Sequence, residues 1–119
     1  MNVVVLRGRV SREPNLRELG SGSVVMNIDL TTRVNDVDTS VPLVWFDPPA
    51  KAQFAEGDEV CLVGTVRRRF FRSGGSTQSR TEVVVEHLGR SSDKRSLAAQ
   101  RKWLASAMGA EALEGLRSP

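Results

Sequence analysis

The first 90 residues repeat one pattern, a short stretch rich in Val, Leu and Ile followed by a group of turn-forming residues. Residues 23–32 show the pattern best, because Met26, Ile28 and Leu30 alternate with the polar Asn27 and Asp29. Alternation with a period of two residues is typical of a β-strand that buries one face. The sequence therefore predicts an all-β body built from short strands.

Five such stretches are present, and Gly, Pro, Asn, Asp or Ser bounds each of them. Two prolines after Asp47 end the third stretch, because proline cannot donate to a β-ladder. The Gly74-Gly75 pair predicts a hairpin tip, residues 35–38 a polar connector, and residues 50–54 at most a short helix. The predicted strands cover residues 3–10, 23–32, 41–46, 59–72 and 80–87. This order fits the five-stranded oligonucleotide/oligosaccharide-binding (OB) barrel, with one short helix between the third and fourth strands.

The last thirty residues differ in composition from this body. Residues 89–92 read as a linker, Asp93 as a helix N-cap, and residues 94–116 as a segment of helix formers that Gly109 weakens. We therefore predict a barrel domain over residues 1–88. Residues 89–119 are predicted to be a linker and a helical or partly disordered tail, which serves packing or oligomerisation rather than ligand binding.

No pattern in the sequence predicts catalysis. Cys61 is the single cysteine and His87 the single histidine, and no metal-ligand spacing is present. We predict no enzyme activity, no metal and no cofactor. No apolar run approaches the ~20 residues of a membrane span, and no signal peptide is visible. The expected location is the cytoplasm, in association with the nucleoid.

The most informative local feature is the basic and aromatic run over residues 67–72, Arg-Arg-Arg-Phe-Phe-Arg. Residues 1–90 hold 12 basic and 11 acidic side chains, yet no acidic residue lies between Glu59 and Glu82. Guanidinium groups neutralise phosphates, and phenyl rings offer flat faces on which unpaired bases stack. A solvated basic face is the alternative, but exposed phenyl groups are less expected there. The run predicts a surface for single-stranded nucleic acid.

Several segments of the chain resemble bacterial single-stranded DNA-binding proteins, and they follow one another in the same order as in that family. They include Pro14 and Arg17 after the first strand and Phe46 at the end of the third. The similar segments are residues 2–10, 22–32, 56–67 and 81–85. The resemblance spans about residues 2–88, and it implies an OB barrel that binds single strands by base stacking.

The family's stacking positions correspond here to Ser40, Phe46, Phe71 and a position near Asp36, so only two remain aromatic. Strand alternation agrees for both of them, because Phe46 must point outward if Trp45 fills the core, and Phe71 shares a face with Thr65, Arg67 and Arg69 opposite Val60, Leu62 and Val66. The predicted nucleic-acid-binding residues are Phe46, Phe70, Phe71, Arg67, Arg69, Arg72, Arg7, Arg9, Arg17 and Arg33.

The expected function is sequence-independent binding and protection of single-stranded DNA in replication, recombination or repair. By resemblance we expect a homo-oligomer, a dimer or a tetramer, with replication or repair proteins as further partners. Family members end in a Gly/Pro-rich linker and an acidic tip, and this sequence shows neither. That difference favours a short paralogue, or alternatively a primosome-type assembly factor whose barrel mainly contacts proteins. The sequence leaves preference for RNA open.

Overall fold

Six β-strands and one helix follow one another along the chain. The structure, a computed structural model, describes the backbone of residues 1–117 and the side chains of residues 1–109. The elements are β1 (Val4–Val10), β2 (Asn15–Glu18), β3 (Val24–Val34), β4 (Val37–Phe46), β5 (Glu59–Ser73), β6 (Ser76–Arg90) and α1 (Lys94–Arg117).

The sheet closes into a five-stranded barrel because β1 pairs with two strands. It runs antiparallel to β5, from Val4 opposite Gly64 to Arg9 opposite Glu59. Its last two residues pair with β3, with Val10 opposite Leu30. The circle is completed through β6 and β4, which form its one parallel pair, and β2 flanks β3. The predicted all-β barrel is confirmed at this level.

The inward faces of the five strands form one apolar core. Leu30, Leu62 and Leu43 are at most 1% exposed, and such burial contributes roughly 1.5–3 kcal/mol for each side chain. Trp45 belongs to this core, while Phe46 directs its ring outward and remains 39% exposed. The alternation predicted for this strand is therefore confirmed.

A register shift interrupts the pairing of β5 with β6. Val63 lies opposite His87, but the next residue, Gly64, lies opposite Val85, so Glu86 has no partner residue on β5. One extra residue in a strand is a β-bulge, and it changes which side chains face inward. Because of it, both Leu88 and Val85 face the core although three positions separate them.

Two tight hairpins extend the strands beyond their predicted ends. Gly74 and Gly75 form the predicted tip of the β5–β6 hairpin, with φ of 58° and 84°. Positive φ at both central residues is the signature of a type I′ turn, which suits the twist of paired strands. The same geometry occurs at Asn35 and Asp36, with φ of 50° and 63°. The polar connector predicted for residues 35–38 is therefore wrong, because Val37 already pairs in β4.

The short helix predicted for residues 50–54 does not form. The segment makes one turn, in which the Ala52 amide donates to the Pro49 carbonyl at 2.9 Å, and then continues as a loop. Five residues are too few to recover the cost of helix nucleation. Tertiary contacts fix the loop instead, since Phe54 packs 6.5 Å from Trp45 between ring centroids and Arg90 donates to the Gln53 carbonyl.

The predicted N-cap and C-terminal helix are confirmed, but the linker predicted for residues 89–92 is wrong at its start, because Gly89 and Arg90 pair with β5 as the last residues of β6. Asp93 Oδ1 accepts the amides of Arg95 and Ser96 at 3.1 and 3.2 Å, which satisfies two free donors of the first turn. Gln100 anchors α1 on β5 by donating from Nε2 to the Cys61 carbonyl at 2.9 Å. The helix is broken at Gly109, whose φ of 57° and ψ of 170° are not helical. Within the described residues, no helix is long and apolar enough to cross a membrane.

We expect Gly64→Ala to destabilise the barrel strongly. A methyl group at this bulge would overlap the Val84 carbonyl oxygen and approach the Val85 backbone, neither of which can move without breaking the sheet. Overpacking of this kind costs roughly 2 kcal/mol or more. Urea unfolding measures the loss, and Gly20→Ala is the matched control because its methyl group meets no atom within 4 Å. Equal stability of the two variants would contradict the close approach.

Candidate nucleic-acid interface

The basic run lies on a two-stranded ribbon that projects from the barrel. β1 begins at Val4, opposite Gly64, and Asn2 closes that edge by exchanging two hydrogen bonds with the Val66 backbone, at 2.7 and 2.9 Å. The second strand of the ribbon, β6, pairs with β4 only at Val83 and Val84, and its residues before Val83 do not pair with β4. Residues 67–82 therefore pair only with each other. We call this segment the β5–β6 ribbon; both of its edges are unpaired, and its residues 67–73 and 76–81 are exposed.

One face of the ribbon carries Arg67, Arg69 and Phe71, which alternate along β5. Opposite them on β6 lie Glu82, Arg80 and Gln78 respectively. We call this side the Phe71 face. Phe71 itself is 37% exposed, so most of its ring packs on neighbours while part remains accessible.

A buried carboxylate organises the base of this face. Glu82 is only 2% exposed, and its Oε1 accepts from Arg69 Nε at 2.9 Å and from Arg67 Nε at 3.3 Å, while Arg67 Nη2 forms an ion pair with the same oxygen at 3.3 Å. A carboxylate shielded from water is stable only when it is paired and hydrogen-bonded. The two guanidinium groups meet that requirement, and Glu82 in turn fixes their positions.

Each of these guanidinium groups also contacts a phenyl ring. Arg67 Cζ lies 5.2 Å from the centroid of Phe46, and Arg69 Cζ lies 5.2 Å from the centroid of Phe71. Both distances are within the range of a cation–π contact. The result is a continuous series from the barrel to the ribbon, which we call the Phe–Arg cluster: Phe46, Arg67, Glu82, Arg69 and Phe71.

The end of β4 holds Phe46 in its outward position. The next residue, Asp47, has a φ of 49°, and its amide donates to the Val24 carbonyl at 2.7 Å. Its Oδ1 accepts the Val24 amide at 2.9 Å, so the strand end is clamped to β3 from both sides. Phe46 pairs with Val25, which in turn pairs with Arg17 on β2. Arg17 therefore lies in the same lateral row as Phe46.

The other predicted residues of the run lie on the opposite side of the ribbon. Phe70 is 66% exposed there, with Arg68 Cζ 5.8 Å from its centroid. Arg72 shares this side and donates to the Gly75 carbonyl at 3.2 Å. We call it the Phe70 face. Consecutive residues in a strand point to opposite faces, so the six-residue run forms two surfaces rather than one.

The remaining predicted arginines lie outside the Phe–Arg cluster. Arg7 and Arg9 are on the outer side of β1, where Arg7 approaches Glu59 at 3.8 Å. Arg33 lies beside the β3–β4 hairpin tip and approaches Asp38 at 3.6 Å and Asp36 at 3.9 Å. The positive charges of Arg7 and Arg33 are thus partly matched by neighbouring carboxylates.

Glu82 is the member of the cluster that sequence reasoning missed. A signal was present, because a two-residue turn at Gly74-Gly75 fixes which residues face each other. Counting outward from that turn places Glu82 directly opposite Arg67, as observed. In the sequence, no acidic residue lies between Glu59 and Glu82, but in the sheet Glu82 itself lies directly beside Arg67.

Neither a metal centre nor a known relative accounts for this surface. Among the described residues, no group of three or more His, Cys, Asp or Glu side chains could hold a metal ion. No protein-family model matches the sequence, and no curated protein matches it. The resemblance to single-stranded DNA-binding proteins therefore remains a prediction.

We expect the double substitution Arg67→Ala/Arg69→Ala to lower the free energy of unfolding by roughly 3 kcal/mol, because it leaves the Glu82 carboxylate buried without a counter-charge. Adding Glu82→Gln should recover more than half of the loss, since a neutral amide needs no counter-charge. Urea unfolding of the double and triple variants gives both values. If the third substitution recovers nothing, charge pairing does not hold Glu82 in place.

Proposed function

We propose that the protein binds single-stranded nucleic acid without sequence preference, and that the Phe–Arg cluster is its contact surface. The observation that supports this proposal most directly is the pair of accessible rings, Phe46 and Phe71, each beside a guanidinium group. Every base has a flat face, so stacking on such rings tolerates any sequence. Guanidinium groups contact phosphates and also stack on bases. Duplex bases are already stacked and cannot use the rings.

The barrel supports the same proposal through its strand order. Around the circle the strands follow the order β1, β5, β6, β4 and β3. With the short flanking β2 set aside, this gives a five-stranded Greek-key barrel with one parallel pair. We assign it to the OB class, whose sheet face and loops commonly hold oligonucleotides.

Stacking alone is too weak to give tight binding. Two stacked bases contribute roughly 2–6 kcal/mol, whereas micromolar affinity requires about 8 kcal/mol. Phosphate contacts must supply the difference. Because Arg67 and Arg69 share Glu82, the cluster carries a net charge of only +1 from its three charged members. Arg80, beside Arg69 on the same face, is the nearest further cation.

The biological role that fits this surface is protection of unpaired DNA during replication, recombination or repair, in the cytoplasm beside the nucleoid. Several copies of the chain on one strand would add avidity without any new contact. A homo-oligomer, dimer or tetramer, is therefore part of the proposal. So is contact with replication or repair proteins, which would act on the strand that this protein covers.

We expect Phe71→Ala and Phe46→Ala each to weaken binding of labelled oligo-dT by about 1–3 kcal/mol, because each removes one stacking ring. Fluorescence anisotropy titrations measure the change. Val5→Ala is the matched control, since Val5 is an exposed apolar residue on β1, away from the ribbon. Circular dichroism verifies that each variant is folded. Unchanged titration curves for both Phe variants would refute the stacking surface.

The same titration, repeated at several salt concentrations with single-stranded and with duplex DNA, measures how the affinity for each depends on salt. Affinity for the single strand should fall steeply with salt, by about 0.7 logarithmic units per tenfold salt increase for each phosphate neutralised. The matching duplex should bind much more weakly throughout. Equal binding of duplex and single strand would overturn the proposal.

Tryptophan emission gives an independent check on which ring meets the bases. In a Trp103→Phe background, emission from the buried Trp45 should change little when oligo-dT is added, because Trp45 is only 6% exposed. Adding Phe46→Trp to that background places an indole on the proposed surface, and its emission should be quenched strongly. Quenching of Trp45 without the added indole would show that bases reach the barrel core.

A further inference from the structure

The Phe70 face of the ribbon is a second surface with the same chemistry. Strand alternation places Arg68, Phe70 and Arg72 on it, opposite the side that carries Phe71. The three residues span about 13 Å of strand, with the ring between the two cations. Strand β1 begins at Val4, opposite Gly64, and β4 pairs with β6 only at Val83 and Val84, so neither strand pairs with the ribbon.

The charge on this face is less compensated than on the Phe71 face. Residues 67–82 are all described by the structure, and no carboxylate among them lies on the Phe70 face. Arg68 donates from Nε and Nη2 to Ser79 Oγ, at 3.2 and 3.1 Å. A hydroxyl orients the guanidinium without cancelling its charge. On the other side, by contrast, Arg67 and Arg69 share the Glu82 carboxylate.

The β6 side of this face consists of small hydroxyl residues. Thr81, Ser79 and Thr77 lie opposite Arg68, Phe70 and Arg72 respectively. Hydroxyl groups donate to phosphate and sugar oxygens, and they do not cover the phenyl ring. At 66% exposure, Phe70 is the most accessible aromatic ring among the described residues of the barrel and ribbon. An accessible ring between two cations is complementary to a base between two phosphates.

We propose that the Phe70 face binds a second segment of single-stranded nucleic acid while the Phe71 face holds the first. The ribbon would then act as a two-sided wedge that keeps two strand segments close together but unpaired. This activity, the bridging of two strands, goes beyond covering one strand, and it rests on the function proposed above.

The test counts how many short oligomers one protomer binds. Oligo-dT of about six nucleotides, within the size range of one OB barrel, is short enough to occupy one face. Near the oligomer concentration that just fills both faces of the unmodified protein, that protein should hold close to twice as many tightly bound oligomers per protomer as Phe70→Ala. Counting per protomer makes the result independent of the oligomeric state, which sedimentation checks for every variant.

Phe70→Ala and Phe71→Ala are matched substitutions at neighbouring positions on opposite faces. Each should halve the number of oligomers bound tightly. Phe71→Ala should weaken the affinity of the Phe71 face for the oligomer by between about 5-fold and 150-fold. Phe70→Ala should leave the affinity of the Phe71 face unchanged. In a mixture of donor- and acceptor-labelled oligomers, energy transfer should fall for both variants.

Three outcomes would overturn the inference. Phe70→Ala with unchanged stoichiometry would show that the ring binds nothing. Phe70→Ala that weakens the same single site as Phe71→Ala would mean that one strand wraps around the ribbon. Displacement of the second oligomer by an acidic peptide at equal charge concentration would assign the face to protein. The function proposed above fails separately, if the unmodified protein binds no oligomer.

Discussion

The structure depends on the pairing of β1 with two strands at once. Along most of its length β1 satisfies the edge of β5, and at its last residues it satisfies the edge of β3. Within the barrel, closure leaves the paired parts of the five strands without a free edge and gives each strand one inward and one outward face. All that is exposed on the outside, including Phe46, follows from that division.

The ribbon is possible because β1 begins opposite Gly64, so the later residues of β5 have no partner in β1. Two strands on their own are marginally stable in water, so a projecting hairpin needs support from its side chains. The Phe–Arg cluster provides that support on one face, through the buried Glu82 and the two rings. The same contacts that stabilise the ribbon therefore present its aromatic surface. A substitution in the cluster is therefore expected to change both the free energy of unfolding and the affinity for single strands.

Much of the fold could be predicted from local patterns, because strand alternation and turn residues act over short distances. Period-two alternation predicted that Trp45 and Phe46 face opposite ways, so that Phe46 points outward once Trp45 is placed in the core. The strand β2 was missed because its four residues are all exposed and show no such alternation. The Asn35-Asp36 turn was read as a connector, since positive φ at non-glycine residues is uncommon. The loop at residues 50–54 depends on the packing of Phe54 on Trp45 and on Arg90, which is distant in sequence.

The candidate site was predicted only in part for the same reason. The residue types in the basic run were visible, but their division between two faces and the role of Glu82 depend on pairing across the sheet.

The bulge at Glu86 has a larger consequence than its size suggests. If Glu86 were paired in a regular ladder, strict alternation from Leu88 would direct Glu82 toward the barrel interior, and Val83 and Val85 toward water. The bulged conformation at Glu86 thus determines which side chains the outside of the molecule displays. Loss of Glu86 itself would restore a regular ladder with Val83 and Val85 still inward, whereas pairing of Glu86 within the ladder would put these valines on the surface, and such a chain would be expected to aggregate.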